Sequence, residues 1–265
     1  MKVLIICVNY NSYRELTDFL NSINKAAHGN EGLSVDVSVA DNSNGKEIIK
    51  GSEYNNIHLS QFNYANLGYL GGASAVINNM SNVLDYDFVA ISNVDLQISE
   101  DFFKVLKNID DDNSTAWIAP QIYSHEEKRD INPKVINRYS KKKLKMLYYM
   151  YKYPVLFYLY FMTAYRRKKI IPKHNEMDIY AGHGSFILLT RNFFRKYKKI
   201  EYPIFLFGEE LFLAELIRNK GMKVRYMPAL RIEDNEHVST SRMKKKFYFK
   251  CNTESIKYIL DTFYE

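Results

Sequence analysis

Phe88-Val89-Ala90-Ile91-Ser92-Asn93-Val94-Asp95-Leu96 decides how the chain is read. Its first half is a continuous apolar run, the pattern of a strand buried in a sheet. Two polar groups, Asn93 and Asp95, stand at its C-terminal end. Open α/β sheets bind ligands outside the carboxyl ends of their strands, so Asp95 falls where chemistry is expected. A carboxylate there, without a neighbouring Lys or Arg, suits Mg2+ or Mn2+. These ions take one or two protein carboxylates and complete their coordination with water and phosphate oxygens. Taken alone, an Asn or Asp at this point is more simply the cap of the next turn. The surrounding chain decides between the two.

Upstream, the same pattern recurs. Val3 to Val8 is apolar throughout, as in a parallel strand covered on both faces, and it empties into Asn9-Tyr10-Asn11-Ser12. Leu16, Phe19, Leu20 and Ile23 follow at helical spacing. Val35, Val37 and Val39 alternate as a second strand ending in Asp41-Asn42-Ser43-Asn44-Gly45, and Ile57-His58-Leu59 reads as a short third. Asn66-Leu67-Gly68-Tyr69-Leu70-Gly71-Gly72-Ala73-Ser74 opens a helix running through Val76 and Ile77. Glycines at a helix start let backbone approach a ligand, and free N–H groups there attract phosphate; a tight turn against the sheet explains them equally. Downstream, a helix from Glu100 to Ile109 and a strand at Trp117-Ile118-Ala119-Pro120 complete β-α-β-α-β-α-β. That order predicts a doubly wound α/β sheet flanked by helices. The first strand-to-helix turn lacks G-x-G-x-x-G, and no P-loop is present, so this is not a dinucleotide fold or a P-loop fold.

The chain has 265 residues, 46% hydrophobic and 25% charged, enough for a sizeable core and unlike a disordered protein. Cys7 and Cys251 form neither a metal nor a redox motif and fit a reducing cytoplasm. Met1 to Val8 is too short for a signal peptide, and no stretch is apolar for long enough to span a bilayer. A formal charge of +7 and a pI near 9.1 call for an anionic partner.

The ordered set of motifs resembles the family 2 glycosyltransferases of the GT-A fold, and within them a bacterial rhamnosyltransferase-like branch that builds cell-surface polysaccharides. The segments carrying the likeness are Asn9-Tyr10-Asn11, Asp41-Asn42-Ser43, Asn66-x-Gly68 with Gly71-Gly72, and Asn93-Val94-Asp95. Further on come Gly182-His183-Gly184-Ser185, Phe205-Leu206-Phe207-Gly208-Glu209-Glu210 and His237-Val238-Ser239.

The resemblance implies a mixed GT-A sheet, a UDP- or dTDP-linked sugar donor, a divalent metal (Mn2+ or Mg2+) and inversion at the anomeric carbon. It implies that Val8, Tyr10, Asn11, Asp41, Asn66, Gly68, Gly72 and Asn93 bind the nucleotide sugar, with Asp41 on the base. Asp95 and His237 would serve the metal. Glu210 is the expected base, with Glu209 as the other candidate. Asn93 stands where the family's first motif acid is usual, Glu210 where an Asp is usual, and Ser74 where an Asn is common. The acids suit glycosyl transfer chemically, since a leaving diphosphate needs charge stabilisation and an acceptor hydroxyl needs a base aimed at its proton. Two acids opening a helix are also ordinary dipole-favourable residues.

The expected organisation is a nucleotide-sugar half (1–125), a helical basic and aromatic insertion (126–175), an acceptor half (176–241) and a C-terminal helical segment (242–265). Within the insertion, Lys141-Lys142-Lys143-Leu144-Lys145 leads through a Tyr- and Phe-rich run to Arg166-Arg167-Lys168-Lys169. Such a segment expects an anionic membrane surface at the inner face of the cell membrane, or a second copy of the chain as a homodimer. No nucleic-acid signature accompanies the basic clusters. The acceptor is expected to be a saccharide or lipid-linked. Two other functions stay open: a non-catalytic nucleotide-sugar or membrane-binding module, because fold does not fix activity, and, more weakly, a nucleotidyltransferase.

Overall fold

The N-terminal apolar run forms β1 (Lys2–Asn9). Its Val3, Ile5 and Cys7 enter one core and Leu4 and Ile6 the other, which is why the run is unbroken by polar residues. A computed structural model of the chain describes residues 1–109, 112–160, 162, 174–235 and 244–264. In it β2 (Ser34–Asp41) and β4 (Phe88–Ser92) flank β1 in parallel, and β3 (His58–Asn63) extends the sheet beyond β2. α1 (Tyr13–Ala27) covers one face through Leu16, Phe19, Leu20 and Ile23, joined there by α3 (Phe102–Lys107). α2 (Tyr69–Asn79) covers the other face through Leu70, Ala73, Val76 and Ile77. Each such fully buried aliphatic or aromatic side chain contributes about 1.5–3 kcal/mol.

Beyond β4 the sheet becomes mixed. β9 (Phe186–Thr190) runs antiparallel between β4 and β6 (Thr115–Ser124). β10 (Lys223–Asp234) pairs in parallel with β6, and the short β5 (Leu96–Ile98), unforeseen from sequence, pairs antiparallel with β10. β7 (Arg129–Asp130) and β8 (Met177–Ile179) add edge pairings to β6 and β10. The two halves expected on either side of residue 125 therefore share one sheet. α6 (Arg191–Lys196) follows β9, and α7 (Glu209–Asn219) packs on the α2 side of the sheet.

The basic and aromatic stretch forms α4 (Lys141–Lys152), capped by Ser140 Oγ accepting the Lys143 N–H at 3.2 Å, followed by α5 (Pro154–Tyr160). α4 packs along α8 (Lys245–Phe263), so the insertion and the C-terminal segment form one helical layer. Among the described residues no helix is long and apolar enough to cross a membrane.

Candidate active site

The ends of β1 and β2 are tied together by a polar knot. Asn9 Nδ2 donates to Asp41 Oδ1 at 3.2 Å, and the Ser43 N–H donates to the same oxygen at 3.1 Å. Asp41 Oδ2 accepts from the Tyr13 hydroxyl at 2.7 Å and from Gln61 Nε2 at 3.3 Å. Burial opposes ionisation of Asp41. Hydrogen bonds from Ser43 and Tyr13 and the charge of Lys46 outweigh it and hold the carboxyl below its ordinary range. Asp41 is fully buried and engaged by four protein donors. A ligand N–H would reach it only by displacing Tyr13 or Gln61. Tyr10, 44% exposed, and the half-buried Val8 are the open side chains at this strand end. Asn11 is exposed, and its N–H donates to Ser43 Oγ at 2.8 Å.

Asn42 carries the knot across to the glycine segment. Its Nδ2 donates to the Gly68 carbonyl at 2.9 Å, and its Oδ1 accepts the Leu67 N–H at 3.4 Å. Asn66 Oδ1 accepts the Gly68 N–H at 3.1 Å. Gly68 has φ +76°, and a Cβ there would stand 1.8 Å from the Phe205 carbonyl oxygen. Only glycine permits both. The turn thus brings the donor-side loop against the apolar Phe205-Leu206-Phe207 segment. Gly72 lies against Asn42 and Val8, where a Cβ would be 2.9 Å from Asn42 Nδ2.

The central strand ends beside this loop. The Asn93 N–H donates to the Ser185 carbonyl at 2.8 Å, and the Tyr69 hydroxyl donates to the same oxygen at 3.3 Å. Asn93 and Asp95 are half-buried, with Val94 turned into the core. Burial, and then the charges of Glu209, Asp95 and Glu210, push the Tyr69 hydroxyl well above its ordinary pKa. The three acids thus all act electrostatically on that hydroxyl.

Gly208, at φ +80° and packed on Ser255 and Tyr202, starts α7, whose first two residues are Glu209 and Glu210. Both side chains fold over Gly184: a Cβ at that position would be 3.2 Å from Glu209 Oε1 and 3.5 Å from Glu210 Oε2. Burial and the adjacent charge of Glu210 push Glu209 up to about 8. Tyr202 stacks on Phe212 at 4.7 Å and donates to the Phe207 carbonyl at 2.7 Å, bracing the segment that presents the pair. Deeper in α7, Glu215 is fully buried yet ionised. Arg138, Tyr180 and Arg218 bond it at 2.6, 2.7 and 3.0 Å, and together they outweigh its burial and lower its pKa.

The structure therefore gathers Asn93, Asp95, Glu209 and Glu210 around Tyr69 and Gly184, with Gly68 and Gly72 alongside. His237 lies outside the described residues. Sequence reading does not single out Tyr69, Tyr13, Asn42 or Gly184 as site residues, although each stands within or beside a quoted motif. His183 is a further residue of this kind: its Nδ1 lies 2.8 Å from Ser185 Oγ and accepts the Ser185 N–H at 3.2 Å.

Among the described residues no group of three His, Cys, Asp or Glu could cage a metal. A single half-buried carboxylate at a strand end instead fits an ion that shares its coordination with a bound diphosphate. Asp95 would be its protein ligand.

The family model for glycosyl transferase family 2 matches residues 4–171, more than half the chain. The match takes in the motifs from Val8 to Asp95 and stops short of Glu209 and Glu210. Over 248 residues the chain is 20% identical to the low-salt glycan biosynthesis hexosyltransferase Agl10 of Haloferax volcanii, covering 92% of this chain and 70% of the relative. GalNAc-T7, solved with UDP, GalNAc and Mn2+, shares the fold with a TM-score of 0.62 at 11% identity, over 98% of this chain and 48% of that one. This chain thus spans about half the length of the GalNAc-T7 chain. S. aureus TarS 1–349 in complex with UDP-GlcNAc is similar with a TM-score of 0.55 at 12% identity, over 100% of this chain and 68% of that one. These likenesses establish the GT-A architecture, and with the family match over residues 4–171 the chain belongs to glycosyl transferase family 2.

Proposed function

We propose that the protein transfers a hexosyl or deoxyhexosyl unit from a UDP- or dTDP-linked sugar to a saccharide or lipid-linked acceptor. The reaction would invert the anomeric carbon and serve cell-surface polysaccharide synthesis from the cytoplasmic side. The observation that supports this reading is the pairing of Glu209 and Glu210 over Gly184, with Asp95 among the charges that act with them on Tyr69.

Val8 and Tyr10 offer apolar and aromatic surface to the base. Gly68 and Gly72 let the chain approach the diphosphate closely, near the start of α2. A Mn2+ or Mg2+ ion held by Asp95 and the diphosphate would neutralise charge developing on the leaving group; His237 is the further ligand the family resemblance suggests. Glu210 takes the proton of the acceptor hydroxyl as that oxygen bonds to the anomeric carbon. The bond from that carbon to the diphosphate breaks, and its electron pair leaves with the nucleoside diphosphate. Glu209 keeps its own proton near neutral pH, because two carboxylates sharing one helix start do not both ionise freely. The wall from Phe205 to Phe207 excludes water that would otherwise compete as acceptor.

The test is a thermal-shift screen of nucleotide sugars with and without Mn2+, followed by release of nucleoside diphosphate from whichever donor stabilises the protein. A metal-dependent shift with turnover supports the reading. A donor that binds but is neither transferred to any acceptor nor hydrolysed makes the protein a binding module instead.

A further inference from the structure

The helical layer carries a face that transfer does not use. α5 has no buried residue. Val155 is 69% exposed and Leu159 56%, and Leu156, Tyr158, Tyr160 and Met162 are exposed beside them. Water does not favour so much contiguous apolar surface, and on a folded chain it marks a contact. Cations predominate around it, although Glu254, 3.8 Å from Lys250, also lines the groove between α4 and α8. From residue 131 to residue 175 the sequence holds twelve Lys and Arg and no Asp or Glu. On the facing helix, Lys245, Lys246 and Lys250 of α8 join Lys152 around a groove of about 520 Å3 floored by Tyr158 and Phe249. The Lys152 ammonium lies 5.4 Å from the Tyr148 ring centre, and that of Lys245 6.0 Å from Tyr158. Ammonium groups held over exposed aromatic rings combine charge and apolar surface in one patch, as a polar–apolar boundary requires.

We propose that α4, α5 and the first half of α8 form a docking face for an anionic lipid bilayer. Exposed aliphatic side chains would enter the headgroup boundary, and the lysines would meet lipid phosphates. Neither other occupant satisfies both features. A nucleic-acid backbone would answer the lysines and leave Val155, Leu156 and Leu159 in water. A second copy related by a two-fold axis would bury the aliphatics but set this cationic patch against itself. The face also has a direction. Tyr151, which packs 5.6 Å from Phe157 of α5, lies 6.0 Å from Tyr248, and Tyr248 lies 5.3 Å from Phe207, next to Gly208 and Glu209. Docking therefore places the acid pair at the membrane side of the molecule. That consequence rests on the transferase reading given above; the docking itself does not.

The experiment is co-sedimentation of the full chain with vesicles of phosphatidylcholine, with and without phosphatidylglycerol, across a salt series. Binding is expected only with phosphatidylglycerol, falling steeply as salt rises. A K152Q/K245Q/K246Q variant should bind about tenfold more weakly or worse. A V155S/L156S/L159S variant should also lose binding, and both should melt like wild type because the altered side chains are exposed. Equal binding to neutral vesicles, or no binding at all, overturns the proposal. So does full binding by the aliphatic variant, which would reduce the face to a diffuse polycation, or a dimer in sedimentation that either variant dissociates. A wild type that transfers to a soluble acceptor but does not dock sinks this proposal alone; a wild type that docks without transfer sinks only the transferase reading.

Discussion

On the donor side, Asp41 closes β2 with no exposed surface and four protein donors around its carboxylate. At the start of α7, Glu209 stands beside a second carboxylate and folds over a glycine. Burial works against ionisation at both. At Asp41, hydrogen bonds win and the carboxyl is held low; at Glu209 a like charge adds to burial and the group rises to about 8. Glu215, six residues along the same helix, behaves like Asp41 because Arg138, Tyr180 and Arg218 satisfy it. Partners rather than depth decide which acids hold the fold together and which are left for chemistry.

This contrast is broken most directly at Glu210. Glu210→Gln is expected to keep donor affinity and lower the transfer rate about a hundredfold to ten-thousandfold, the usual worth of a general base. Steady-state kinetics beside donor titration measures it. If Glu209→Gln is the silent binder instead, the roles within the pair are exchanged, and full activity in both variants removes them from the mechanism.

Asp95→Ala tests the carboxylate that links the two sides. Its half-buried strand-end position predicts a folded protein whose Mn2+-dependent donor affinity drops on the order of a hundredfold. Calorimetry with and without chelator reads it; unchanged affinity in Mn2+ excludes Asp95 as the ligand.

Asp41→Asn should cost about 1–3 kcal/mol of stability at neutral pH, because it disturbs a buried, fully bonded acceptor. A group with a lowered native pKa contributes stability above its unfolded value and loses it as pH falls through the native one. The gap between wild type and variant should therefore narrow in acid, as urea melts at neutral and acidic pH would reveal. A gap that stays constant contradicts the environment assigned to Asp41.

The smallest effect concerns Glu209 and has the opposite sign. Its native pKa lies above its ordinary value of 4.5, so the folded state holds the proton more tightly than the unfolded state. Folding is favoured by this group below that ordinary value and is penalised increasingly as pH rises toward about 8. Glu209→Gln carries no such penalty. Its melting temperature should match that of wild type in mild acid and exceed it by a growing margin up to about pH 8. A margin independent of pH would show that folding leaves the proton affinity of Glu209 unchanged.

Much of the donor half was legible because its signals are local. An apolar run such as Val3 to Val8 needs cover on both faces, and a strand ending in Asn93-Val94-Asp95 must expose polar groups at its exit. The apolar spacing in α1 likewise announced which face would be buried. Less legible were features that depend on partners distant in sequence. β9 inserts between β4 and β6, and β5 finds β10, through pairings across more than sixty residues that no local pattern encodes.

What the chain determines by itself is the set of elements and the chemistry at their ends: carboxylates after strands, glycines before helices, and cations without acids from residue 131 to 175. These follow from periodicity and residue type. Only the tertiary structure decides that Asp41 is satisfied and Glu209 strained toward neutrality, since a carboxyl's proton affinity depends on which donors and charges the fold brings within a few ångströms. The same holds for the helical layer. Sequence shows that α4 is basic and aromatic and α5 aliphatic and aromatic, but the packing of α4 on α8 selects the residues left facing outward.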